Sequence, residues 1–439
     1  MSNTTATIAH QHAQELLDFI DASPSPWHAV ASAARRLQDA GFQPLAEVDR
    51  WKLEIGGRYF VSRDGTALIA FQLGQDALTE HGLTLIVAHT DSPGLRVKPR
   101  PAENQVGMLR LGVEVYGGPI LATFADRDLG LAGRVMVRND AGSKEAITSH
   151  LVHFDEALLR LPNLAIHMNR EVNESGLKFN KQTELPLLWG RSEPADDAPA
   201  RFSTLLAEKL DLTPDRLITW ELAVCDTQKG AFWGVDREFI ANSQLDNLAS
   251  CHAALTALLA ADNPAKTCFV ALFDHEEVGS ESASGAAGSL LNDVLARVAG
   301  QLALDDEDLR RSLARSFFIS ADMAHAWHPN FPNAYEPSHR VLVNAGPVIK
   351  HNANQRYSTR ADTAARFIRL CESANIPYQH YAHRTDLGCG STIGPILAAR
   401  LGIPSIDVGS AMWAMHSLRE SAGVLDHHYL IRAFTAALV

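Results

Sequence analysis

The stretch CFVALFDHEEVGSES, residues 268–282, sets an unbroken apolar run directly before Asp274, His275, Glu276 and Glu277. Such a run, rich in branched and aromatic residues, predicts a strand over 267–273 that is covered on both faces. Adjacent acids at a strand exit repel one another unless a cation or a shared proton relieves them. Neighbouring side chains point in different directions, so one glutamate can bind metal while the other faces a bound water. Gly279 and Ser280 follow closely, as a turn requires.

The same pattern recurs along the chain. LTLIVAHTDSPG (83–94) places His89 and Asp91 after an apolar run, and an aspartate two residues on can fix the imidazole tautomer. NSQLDNLAS (242–250) sets Asp246 at the start of a helix, where an aspartate can be either an N-cap or a ligand. SFFISADMAHAWHPNF (316–331) ends an apolar strand at Asp322, and IDVGSAMWAMHSLRE (406–420) brings His416 after a strand. Ligands bind at strand ends in open α/β sheets. Two histidines with several carboxylates and no thiolate match a hydrolytic zinc or manganese pair sharing a bridging acid, rather than a closed structural zinc. Two ions ~3.5–4 Å apart polarise a carbonyl and lower the pKa of a bridging water to about 7.

Other signals are weaker. His325 and His328 follow Asp322 at three-residue spacing and could mimic a metal site, but HPN is a turn sequence and both read as structural; His427 and His428 read as surface or capping residues of the last helix. DLGCGSTIGP (386–395) lacks both the lysine of a phosphate loop and the spacing of a dinucleotide fingerprint; its amides, at Gly388 and Gly390, suit a peptide group of a substrate.

Around these segments the texture is α/β. Two helices are expected in the first forty residues, then strands at 58–61, 67–73 and 83–88. Helix–strand pairs follow at 245–260 with 267–273, 361–373 with 378–382, and 391–401 with 404–408. Between them, LRLGVEVYG (109–117) and GRVMVRND (133–140) alternate like antiparallel strands, and RSEPADDAPARFS (191–203) predicts a mobile loop. The expected architecture is a catalytic α/β domain with a central mixed sheet flanked by helices (1–98 and 236–439), interrupted by a β-rich insert (99–235).

The 439 residues carry 51 acidic against 39 basic side chains, a net charge of −12, which disfavours nucleic acid and anionic membranes as partners. The start MSNTTATIAHQHAQELL has no secretory pattern, no apolar run approaches the ~20 residues of a membrane span, and five widely spaced cysteines make no disulfide framework; a cytoplasmic setting is expected.

Taken together, AHTDSPGLRVKP, NLAIHMNREVN, SQLDNLAS, DHEEVGSES, SADMAHAWHPNF, GPVIKHNANQRYS, GCGSTIGPI and AMHSLRE resemble, in order, the aspartyl aminopeptidase family of dinuclear zinc exopeptidases. The resemblance implies two zinc ions per subunit (with manganese or cobalt as alternatives), held by His89, Glu277, Asp322 and His416 and bridged by Asp246. It implies Glu276 as general base, Asp91 as the group orienting His89, and a cis peptide between Asp246 and Asn247. Lys350 would meet an acidic substrate side chain, and His167, in the insert, would touch metal or substrate. It also implies that the insert dimerises and that the dimers build a tetrahedral dodecamer. The expected substrate is a peptide with an amino-terminal Asp or Glu. The alternatives are an aminopeptidase of broader or neutral specificity and a non-catalytic oligomeric scaffold; a scaffold would be expected to lose acids from the metal set, whereas Glu276 and all five ligands are present.

Overall fold

The computed structural model describes residues 3–140, 143, 145–193 and 195–439. Two compact units emerge from it. One comprises the chain up to Asp91, Gly230–Met415 and Glu420–Val439; the other comprises Ser92–Lys229 and His416–Arg419. The expected breaks at 99 and 236 thus fall a few residues inside the segments they were to separate, and the return of 416–419 to the second unit has no counterpart in the sequence pattern. The element bounds stay close to expectation, with helices Leu245–Ala260 and Ala361–Ser373 and strands Leu83–His89 and Thr267–Phe273.

The first unit is built on a nine-stranded mixed sheet. Strand Leu83–His89 lies at its centre, flanked in parallel by Thr267–Phe273 and Phe317–Ala321, with Ser405–Gly409 parallel beyond the latter. The near-continuous apolar runs follow from burial on both faces. Ile86, Ala88, Val270, Leu272 and Ile319 face a core completed by helices Asn3–Asp21, Pro26–Asp39, Leu245–Ala260 and Val424–Leu438. Leu85, Val87, Phe269, Ala271 and Phe318 face a second core against Leu290–Gln301 and Ile393–Leu401. Period-two alternation thus divides one apolar strand between two cores. Register does the rest: Phe273 pairs with His89, and Ser320 with Val87, so three neighbouring strands end at one level. A smaller five-stranded sheet, including Phe239–Asn242 and Glu420–Gly423, completes this unit.

The second unit is a six-stranded sheet whose pairings are all antiparallel. Its core includes Leu111, Leu131, Val135, Leu187 and Phe202. Phe202 belongs to a helix, Ala198–Lys209, where a loop was expected. Asp197 caps it by accepting from the Ala200 N–H (3.1 Å), and Pro199 sits in its first turn, where a proline is tolerated. The polar composition of 191–203 masked an amphipathic helix that needs the sheet beside it; Pro194, in the same stretch, lies outside the described residues.

Candidate active site

The ends of the three central strands and the start of helix Leu245–Ala260 bring five carboxyl groups around one imidazole. His89 is buried, 1% exposed. Its Nδ1–H donates to the Asp91 carbonyl (3.0 Å), with the Asp91 carboxylate 3.4 Å away. The other nitrogen, Nε2, faces Asp246 Oδ1 at 3.4 Å and Asp322 Oδ1 at 3.7 Å. Asp91 acts twice, because its carboxylate also accepts the backbone N–H groups of Glu276 (3.1 Å) and Glu277 (3.2 Å). One fully buried carboxylate therefore braces both the histidine and the turn that carries the two glutamates.

The peptide between Asp246 and Asn247 is cis. The Asp246 N–H donates to Glu420 Oε2 (3.0 Å), and the Asn247 amide donates to the Ala321 carbonyl (2.8 Å), tying this helix start to the strand that ends at Asp322. Glu420 is a buried acid whose only mark in the sequence is its place at the end of AMHSLRE. Asp274 is buried too but turns away, accepting from the His275 N–H (2.8 Å).

Two overlapping sets of potential ligand atoms result among the described residues, each within 4.8 Å: His89, Asp246 and Glu277, and His89, Glu276 and Asp322. Burial pushes the Glu276 carboxyl up to about 8; His89 opposes that shift, and Asp322, Asp246 and Asp91 add to it. Burial likewise raises Glu277 well above the carboxylate range, with Asp246 adding to it. Burial would lower the His89 pKa, yet hydrogen bonds to Asp246, Asp322 and Asp91 outweigh it and hold the ring well above its ordinary value. A divalent cation relieves this crowding of buried negative charge, and donors limited to imidazole nitrogen and carboxylate oxygen suit zinc or manganese.

Other expected residues lie elsewhere. Lys350 is 2% exposed; its ammonium donates to the Met323 carbonyl (2.7 Å) and lies 3.4 Å from Asp322 Oδ2. Gly388 and Gly390 are exposed, with open space where a side chain would be. His416 and His167 belong to the second unit and enter neither ligand set. The backbone at His416 is left-handed (φ 68°), and its Nδ1 donates to the Gly118 carbonyl (3.1 Å). His167 is exposed on a turn closed by the Met168 N–H to the Ala165 carbonyl (2.8 Å). His427 and His428 correct the surface reading: both are buried, because the last helix packs against helices on the core side of the sheet.

Residues 19–437 match the family model of the aminopeptidase I zinc metalloproteases (M18). The chain is 48% identical over 427 residues to the Azotobacter vinelandii protein named "Probable M18 family aminopeptidase 2", covering 96% of this chain and 97% of that one. A chain of the cryo-EM structure of the Ape4 and Nbr1 complex superposes with a TM-score of 0.94 at 39% identity, over 99% of this chain and 86% of that one. The S. cerevisiae mApe1 dodecamer gives 0.84 at 29% identity, over 97% and 95%. With a site of these donors at these strand ends, and matches spanning nearly its whole length, the chain belongs to the M18 family of aminopeptidases, zinc metalloproteases that act on the amino-terminal residue of peptides.

Proposed function

We propose that the protein is a dinuclear zinc aminopeptidase that removes an amino-terminal Asp or Glu from peptides. The observation that carries this reading is the pair of ligand sets sharing His89. His89, Asp246, Glu277 and Asp322 are the proposed ligands, with Asp246 as the bridge. His416 completes the set on the strength of the resemblance alone. Zinc bound there would polarise the scissile carbonyl and make the attacking water more acidic.

The chain's own groups do the rest. Glu276 is a carboxylate within the ligand cluster, and burial raises its affinity for a proton, which suits a group that takes the water's proton and passes it to the leaving amine. Asp91 keeps the His89 tautomer with Nε2 toward the acids. The amides at Gly388 and Gly390 are the proposed partners of the substrate's peptide group.

A dodecamer built from dimers through the β-rich unit is proposed from the likeness to mApe1. No helix among the described residues is long and apolar enough to cross a membrane, and cytoplasmic peptides are the proposed substrates. A second reading, broader amino-terminal specificity, is favoured by one observation: the Lys350 ammonium is turned inward onto Met323 and Asp322. Asp-, Glu-, Leu- and Ala-anilides, tested on metal-stripped enzyme with zinc, manganese or cobalt restored, separate the two. Turnover confined to Asp and Glu supports the first reading, and equal turnover of all four supports the second.

A further inference from the structure

We infer that Asp407 is a positioning residue for substrate binding: one buried carboxylate that pins the far ends of two loops, 352–357 and 383–391, beside the proposed ligand Asp322. This rests on the aminopeptidase reading.

Asp407 is 0% exposed, in strand Ser405–Gly409, between Ile406 and Val408 of the apolar core. A carboxylate is costly there unless its oxygens are answered. Three uncharged donors meet it. The Ser358 N–H (2.5 Å) and hydroxyl (2.8 Å) donate to Oδ2, and the Thr392 hydroxyl donates to Oδ1 (2.6 Å). Its own N–H donates to the Thr359 hydroxyl oxygen (3.0 Å). The first turn of helix Ile393–Leu401 lies directly against it: a Cβ at Gly394 would stand 2.5 and 2.7 Å from the two carboxylate oxygens. Glycine permits that approach, and a helix start favours negative charge. Ser358 closes GPVIKHNANQRYS, and Thr392 and Gly394 stand in GCGSTIGPI, yet the metal cluster uses none of the three.

The loops that these residues end are the ones a substrate would meet. Residues 352–357 leave strand Val348–His351 and return at Ser358; residues 383–391 leave strand Gln379–Ala382 and return at Thr392. They border one open cleft of about 440 Å³ and touch across it, where Cys389 donates to the Tyr357 hydroxyl (3.4 Å). Two routes join them to the ligand Asp322. Asp407 pairs with Ser320, and one step on the Asp322 N–H donates to the Val408 carbonyl (2.9 Å). The Lys350 ammonium lies 5.3 Å from the centre of the Tyr357 ring and 3.4 Å from Asp322 Oδ2. Gly388 and Gly390, the proposed partners of the substrate's peptide group, belong to the second loop. Freed from Asp407, both loops would have to be ordered by the substrate itself, and that conformational entropy is taken from binding. The loss therefore falls on KM, while the metal ligands and Glu276 stay in place.

The test compares wild type, Asp407→Asn, Thr392→Val and Thr392→Ser on Asp-anilide and Ala-anilide, with bound metal and backbone hydrogen exchange measured for each. Asparagine keeps the shape and an acceptor for Ser358 but gives up the charge. Asp407→Asn and Thr392→Val should each raise KM about tenfold on both substrates, the loss of one hydrogen bond to a charged group, while kcat and metal content hold. Thr392→Ser keeps the hydroxyl and should keep the wild-type KM. Exchange should quicken over 383–391 in Thr392→Val and over both loops in Asp407→Asn, with 317–321 still protected. A lower melting temperature with KM and loop exchange unchanged would leave Asp407 a purely structural group and overturn the inference, and so would a rise in KM that comes with loss of metal. If Asp407→Asn does not fold, the contrast between Thr392→Val and Thr392→Ser decides. A wild type that releases no amino-terminal residue sinks the aminopeptidase reading; the positioning role then stands or falls on the loop exchange alone.

Discussion

Glu276 and Glu277 are neighbours in sequence and nearly equal in burial, yet they fall into different ligand sets. Each has its N–H on a different oxygen of Asp91, so the turn is held flat at that point while the two side chains diverge. The distinction between base and ligand is therefore testable one residue at a time. Glu276→Gln should keep its metal and lose about 10²–10⁴-fold in kcat, since an amide accepts no proton. Activity within tenfold of wild type would reassign the base. Asp246→Ala should lose metal, as measured by metal content after dialysis, because Asp246 is the proposed bridge.

At the scale of elements, what holds the site is the set of contacts between strand ends. Asp91→Ala would remove the carboxylate beside His89 and the acceptor of two backbone N–H groups at once. Loss of such a supporting group typically costs 10–100-fold in metal affinity, and competition with a fluorescent zinc chelator should show a weakening in that range. Strand Ser405–Gly409 offers a second test. A Cβ at Gly409 would meet the Asp322 carbonyl oxygen at 1.8 Å, a contact with backbone that no rotamer change relieves. Gly409→Ala should destabilise the protein by a few kcal/mol in urea unfolding, above the ~1–3 kcal/mol of ordinary overpacking, and displace Asp322.

For the molecule as a whole, helices Leu245–Ala260 and Val424–Leu438 hide a histidine pair between them. His252 Nδ1 and His427 Nε2 are 2.9 Å apart, both rings buried. Burial, then the positive charges around them, pushes His427 down to about 3 and His252 well below its ordinary value. Both stay neutral in the folded chain while the unfolded chain takes up protons below about pH 6.5. Stability is therefore full above that pH and lost as pH falls toward 3, by up to about 1.4 kcal/mol per histidine for each pH unit. Between pH 6.5 and 4.5 the melting temperature of wild type should fall more steeply than that of His427→Gln; parallel slopes would show that the pair does not titrate this way. Assembly makes a separate prediction. If His167 serves a neighbouring subunit, mixing inactive His167→Ala and Glu276→Gln proteins under subunit exchange should restore activity. No recovery despite exchange would confine His167 to its own subunit or remove it from the site.

The apolar runs before His89, Asp274 and Asp322 were legible as strands because burial on both faces demands continuous apolar sequence, and the acids at their ends were legible because such residues are costly there without a purpose. The helices on either side followed from apolar spacing alone. What stayed hidden depends on partners distant in sequence. Helix Ala198–Lys209 forms because a sheet waits to cover Phe202, and His427 is buried because helix Val424–Leu438 packs inward; neither is marked locally. Glu420 meets Asp246 across 174 residues of chain, and Lys350 faces Asp322 rather than solvent through strand pairing and register. A residue's type and neighbours announce what chemistry it can do, but the atom it faces is chosen by register and packing, and those exist only once the chain has folded.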